Sequence, residues 1–138
     1  MLPKYHIMFS LIVAIILLLL KVNYIFIILF FLATILIDID HYFLHIITNK
    51  NFNLSKAYKY FRYELRKKRI KKSKTLLLIF HTIEFFIILL ILSLFFSFFW
   101  PMFFGCLFHE IIDLIYEAFR KDKKYIKAPS LVLYIAKK

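Results

Sequence analysis

The chain has 138 residues, room for one domain, and 63% of them are hydrophobic, with 18 Phe and a single Gly. An average soluble domain is nearer to about 45–50% apolar with about 7% Gly, so an ordinary soluble globule is excluded. The net charge of +12 is confined to short stretches between apolar runs, the pattern of a polytopic membrane protein rather than of a nucleic-acid binder.

The first apolar run, about residues 5–20, follows Lys4 and has no small-x-small cleavage site before Lys21. It reads as a retained first span and not as a signal peptide. A second span covers about 24–47. The segment 49–74 is polar and basic, and within it Leu54, Tyr58, Phe61 and Leu65 recur at spacings that form one helical face. Lys and Arg flank that stripe, which predicts an amphipathic helix on an anionic lipid leaflet; a solvated loop whose charges only set topology is the alternative. A third span covers about 75–99, Pro101 marks the turn, and a fourth covers about 102–119. Spans one and four fall short of the roughly 20 residues that cross a bilayer core, so they require thinning, tilt or burial. The basic tail 120–138 contains an apolar stretch, 131–136, too short to cross and expected at the interface. The expected fold class is therefore all-α, a single membrane domain of about four transmembrane helices with a cytoplasmic basic amphipathic loop.

Orientation follows from charge. Lys50, Lys56, Lys59, Arg62, Arg66, Lys67, Lys68, Arg69, Lys71, Lys72 and Lys74 face one acid, Glu64, in the loop, whereas the opposite side has only Lys21. The positive-inside rule places the loop and both termini in the cytoplasm, with the spans in the cell membrane. The expected partners are membrane lipids, with anionic headgroups at the basic loop, and no nucleic acid. Oligomeric state is not legible. Cys106, the only cysteine, excludes an intramolecular disulfide and a cysteine-based zinc motif.

Ionisable residues interrupt the apolar runs: Asp38, Asp40, His41 and His45 in the second, His81 and Glu84 in the third, His109, Glu110 and Asp113 in the fourth. Each costs about 2.5–3.5 kcal/mol at bilayer depth, whereas a structural zinc site returns about 10–16 kcal/mol. With that orientation and about 1.5 Å of rise per residue, all three clusters lie in the cytoplasmic half of the bilayer. On ideal helices Asp38, His41 and His45 share a stripe, as do His81 with Glu84 and His109 with Asp113. Asp40 points away from Asp38 unless the helix is distorted; otherwise it orients a histidine from behind. His6 begins the first span on the same side. Imidazole and carboxylate ligands suit a divalent transition metal such as zinc, in one ion or two. Glu84 is a ligand or a general base, and Glu110 is a second candidate base.

The segments Asp38-Ile39-Asp40-His41, His81-Thr82-Ile83-Glu84 and His109-Glu110-Ile111-Ile112-Asp113 resemble the spaced motifs of the LexA-regulated, membrane-bound metal-dependent hydrolases and their archaeal relatives. The resemblance spans nearly the whole chain, with His6 matching an early histidine. That family is similar in turn to zinc-dependent phospholipases C. The resemblance implies a metal-dependent hydrolase of a phospholipid or other membrane-associated phosphoester. It implies His6, Asp38, Asp40, His41, His81, Glu84, His109 and Asp113 as metal ligands, with Glu84 also catalytic. Two other classes compete. A metal or proton conduit also uses intramembrane acids and histidines, but four spans without an internal repeat are few for alternating access. A non-catalytic membrane adaptor explains the basic loop and leaves the intramembrane acids unexplained.

Overall fold

Beyond Lys4, apolar side chains surround the first helix on every side except at His6 and Ser10, four residues apart, and those two are the residues it buries. The same inversion runs through the computed structural model, which describes residues 3–61, 74–119 and 125–136. Apart from Leu78, the largest fully buried side chains are polar: His6, His109, Thr34, Thr82, Asp113, Ser10 and Ser93. Ile, Leu and Phe cover the outside. In water such an exterior would be an aggregation surface; in lipid it is solvated.

Helix α1 (Pro3–Leu19) packs on α2 (Tyr24–Leu36), and α2 packs along the long helix α6 (Trp100–Phe119). Between them in sequence lie α3 (Ile39–Asn49), the short α4 (Leu54–Lys59) and α5 (Ile83–Phe95), which packs on α6. A short last helix, α7, covers Leu131–Ala136. Two stretches, Tyr24–Asn49 and Ser97–Phe119, are long and apolar enough to cross a membrane, with mean hydropathy of 2.0 and 1.5. Helices α1 and α5 are apolar but shorter. Together with the apolar exterior, these helices point to a membrane protein.

The α2–α6 contact is close because its residues are small, as membrane helix interfaces require. Gly105 faces Phe30 and Ala33; a Cβ there would overlap the Phe30 carbonyl oxygen and lie 3.0 Å from the Ala33 Cβ. Thr34 Oγ1 bonds its own helix at the Phe30 carbonyl (2.8 Å) and reaches the Gly105 carbonyl at 3.3 Å. Ala33, Ile37, Leu89 and Cys106 form the apolar core beside this contact, ringed by phenylalanines.

Three features depart from four straight helices. The second span breaks at Ile37 and Asp38, where the Asp38 N–H turns to Ile35 (3.3 Å) and α3 starts afresh. The third span is not helical from residue 75. Lys74–Leu76 is a strand (β1), Ile79–His81 is a single 3-10 turn, and Thr82 is extended (φ −94°, ψ 152°) before α5 begins. β1 pairs in parallel with β2 (Tyr125–Lys127), Lys74 opposite Tyr125, so the described residues, otherwise mostly helical, carry one short ladder. Thr82 fails as a helix cap through its side chain, and the first free N–H of α5, at Ile83, instead finds the Pro129 carbonyl at 3.0 Å. Of the expected amphipathic stripe, Leu54, Tyr58 and Phe61 are described, while Leu65 and the run Arg66, Lys67, Lys68, Arg69 lie outside the described residues.

Candidate metal centre

The break at Asp38 sets up the site. Because the Asp38 N–H bonds Ile35, the Thr34 carbonyl is open to the side, and His109 Nδ1 donates to it at 2.8 Å. The close seat of Gly105 brings His109, one turn later on α6, within that reach. The same break brings the carboxylates of Asp38 and Asp40 to the same two histidines, His41 and His81, although they are two residues apart. Asp40 accepts from the Phe80 N–H (3.1 Å) and faces His81 Nδ1 (3.1 Å) and His41 Nδ1 (3.2 Å).

These contacts fix two imidazoles by their Nδ1–H groups, which leaves each Nε2 as a lone-pair donor aimed inward. His81 Nε2 and His109 Nε2 are buried and have no hydrogen-bond partner. Both approach Asp38 Oδ1, at 4.0 and 3.5 Å. His41 Nδ1 lies 3.3 Å from the same oxygen. On the other flank, Asp113 Oδ1 is 3.1 Å from His6 Nε2 and its Oδ2 is 3.9 Å from His109 Nε2. The His6 and His109 rings stack at 3.8 Å, and neither nitrogen of His6 makes a hydrogen bond. Buried imidazole nitrogens without partners are costly, and they converge on carboxylate oxygens at spacings that one cation can bridge.

Three overlapping groups have ligand atoms all within 4.8 Å of one another: His6, Asp38 and His109; Asp38, His41 and His81; His81, His109 and Asp113. The donor set is nitrogen and oxygen of intermediate hardness, which fits a divalent transition metal better than calcium or copper(I). The centre has a floor and a rim. His6, His81, His109 and Asp113 are buried, whereas the side chains of Asp38, His41 and Glu110 are 19%, 21% and 19% exposed.

Of the residues expected from sequence, His6, Asp38, His41, His81, His109 and Asp113 meet at this centre. Asp40 stands behind it, holding His81 and His41 rather than offering an inward oxygen. Glu84 belongs elsewhere. With Thr82 extended, His81 and Glu84 no longer share a helix, and the three-residue spacing that aligned them loses its meaning. The Glu84 carboxylate instead accepts from the Ser130 hydroxyl and from the N–H groups of Leu131 (2.9 Å) and Val132 (3.2 Å), capping α7. The structure does not bring it to the cluster. Glu110 takes its place beside the cluster, Oε2 lying 3.9 Å from His81 Nε2. His45, expected on the stripe of Asp38 and His41, turns to Asn49 and leaves the centre. The Thr34 carbonyl and the Phe80 N–H carry no side-chain signal and were not legible in the sequence.

The fold and this cluster define a class: a helical membrane-type protein with a buried histidine–carboxylate centre able to hold a metal ion. No protein-family model matches the chain, and no curated protein or solved structure matches it either.

Proposed function

We propose that this protein is a metal-dependent hydrolase of the cell membrane, acting on a phospholipid or other membrane-associated phosphoester, as its resemblance to the LexA-regulated hydrolases implies. The observation that carries the reading is the pair of partnerless, buried Nε2 atoms of His81 and His109, each fixed from behind and facing Asp38. Four spans, with both termini and the basic loop in the cytoplasm, put the rim of the centre toward the cytoplasmic leaflet. Helices α1 and α5 would cross a locally thinned bilayer.

Two divalent ions, zinc above all, suit the charge of the centre. Asp38, Asp40, Glu110 and Asp113 bring four carboxylates beside the imidazoles of His6, His41, His81 and His109. His6, Asp38, His41, His81, His109 and Asp113 are the residues that would hold the metal. A divalent ion supplies a Lewis acid and lowers the pKa of bound water from 15.7 to about 7. Asp40 holds His81 in the tautomer that offers its Nε2 lone pair to the centre. Glu110, partly exposed and beside His81, is the group best placed to accept a proton from an attacking water. The exposed edge formed by Asp38, His41 and Glu110 is where a phosphoester would enter.

The test is elemental analysis of detergent-purified protein, followed by hydrolysis assays on phospholipids and soluble phosphoesters. One or two equivalents of a divalent transition metal with metal-dependent hydrolysis support the reading. Absence of metal under metal-replete growth and purification overturns the centre. Stoichiometric metal without hydrolysis of any phosphoester overturns the enzyme reading and favours a metal or proton conduit.

A further inference from the structure

A second polar site lies at the far end of α3, and the metal centre does not use it. His45, one turn beyond His41, is 3% exposed, and its Nδ1 lies 2.9 Å from Asn49 Nδ2. An amide nitrogen can only donate, so Nδ1 is the acceptor and the proton of the neutral ring sits on Nε2. That Nε2–H is buried and has no hydrogen-bond partner. A buried donor in this state calls for an acceptor.

The surrounding groups say what kind of acceptor. His45, Asn49, Asn51, Lys56 and Lys59 line a cavity of about 420 Å³. Two lysines, two asparagines and a histidine thus meet at one pocket, and no carboxylate is among these residues. The local fold builds this arrangement. Lys50 adopts a left-handed conformation (φ 49°) that ends α3 and turns the chain back. Asn53 caps α4 by accepting from the Lys56 N–H (3.1 Å), and the Tyr42 hydroxyl ties down the Phe52 carbonyl (2.6 Å). Lys56 and Lys59, three apart, then share a face of α4, and the Tyr60 ring holds His45 edge-on at 5.3 Å. The carbonyl end of α3 disfavours an anion here by roughly half a charge. Two full positive charges outweigh it.

We propose that this pocket binds a phosphate group. Its two lysines match the charge of about −1.5 to −2 on a phosphomonoester at neutral pH, whereas a single carboxylate would leave one lysine unmatched. The phosphate is that of an anionic lipid headgroup or free inorganic phosphate. The site uses no residue of the metal centre and does not rest on the hydrolase reading.

The test uses full-length, metal-loaded protein in maltoside detergent. It is titrated calorimetrically with inorganic phosphate and, separately, with short-chain phosphatidic acid below its critical micelle concentration. The double variant Lys56→Gln/Lys59→Gln weakens binding by about tenfold or more, the worth of at least one charge-assisted hydrogen bond, with metal content unchanged. His45→Phe, which keeps a ring against Tyr60 and removes the donor, weakens binding too. Lys50→Gln, an exposed neighbour that does not line the cavity, leaves it unchanged. Binding of phosphatidic acid alone assigns the pocket to a lipid headgroup, and binding of inorganic phosphate in either case supports a phosphate site. Binding of neither ligand overturns the proposal. So does binding that survives in the double variant, which puts the phosphate on the metal centre, or an equal loss in Lys50→Gln, which reduces it to diffuse attraction.

Discussion

Asp40 Oδ2 lies 3.1 Å from His81 Nδ1, while Nε2 of the same ring is buried without a hydrogen-bond partner and faces Asp38. The carboxylate determines which nitrogen carries the proton, and through that choice it aims a lone pair into the centre. Replacing Asp40 with Asn keeps the shape but lets the ring take either tautomer. Asp40→Asn is expected to lower metal affinity by about 10–100-fold with the ligand residues intact. Competition with a chromogenic chelator measures it; unchanged affinity would show that Asp40 does not orient the ring.

His109 and Asp113 share a face of α6 and are both buried in the centre. His109→Ala and Asp113→Ala are expected to reduce metal content, and the double variant to abolish it. Bound metal at about 100 times its dissociation constant adds about 2.7 kcal/mol to stability, so chelation should lower the thermal midpoint of wild type. In the double variant chelation should have no effect. A double variant that keeps full metal content would remove these residues from the site.

Gly105→Ala tests the route by which helix packing builds the centre. The added methyl overlaps the Phe30 carbonyl and crowds Ala33, so α2 and α6 must separate. Overpacking of this kind costs about 1–3 kcal/mol. Separation also lengthens the bond between His109 Nδ1 and the Thr34 carbonyl, so metal affinity should fall along with stability. A loss of stability with metal affinity unchanged would uncouple the two.

Glu84 and Glu110 are predicted to behave in opposite ways. Glu84→Ala releases the N–H groups of Leu131 and Val132, whose amides should exchange faster with solvent while metal content and hydrolysis persist. Glu110→Gln should keep the metal and lower the hydrolysis rate by about 10²–10⁴-fold, the range for loss of a general base. Metal loss in Glu84→Ala with its amides still protected would return Glu84 to the centre. Equal rates in Glu110→Gln and wild type would exclude Glu110 as the base.

Composition and the order of residues were enough to show an apolar exterior and to single out the acids and histidines that interrupt it. They were also enough to single out His6, Asp38, His41, His81, His109 and Asp113, which the structure brings together, but Asp40, His45 and Glu84 equally, because each looks anomalous in an apolar run wherever its neighbours lie. Facing was less secure. An argument from 100° per residue holds only within an unbroken helix, and the chain breaks at Asp38 and again at Thr82. The first break turned Asp40 toward His81 and opened the Thr34 carbonyl to His109. The second separated Glu84 from His81 and gave it to the tail helix. Neither break is marked by Pro or Gly at its own position, so local propensity carries no sign of either. What the sequence by itself determined is which polar groups must be sheltered from lipid. Which of them meet, and which nitrogen each imidazole turns inward, was decided by tertiary contacts: the close approach at Gly105, the carbonyl of Pro129 on α5, and the carboxylate of Asp40 behind His81. Those contacts join residues far apart in the chain, and in the first two the partners include backbone groups that carry no sequence identity.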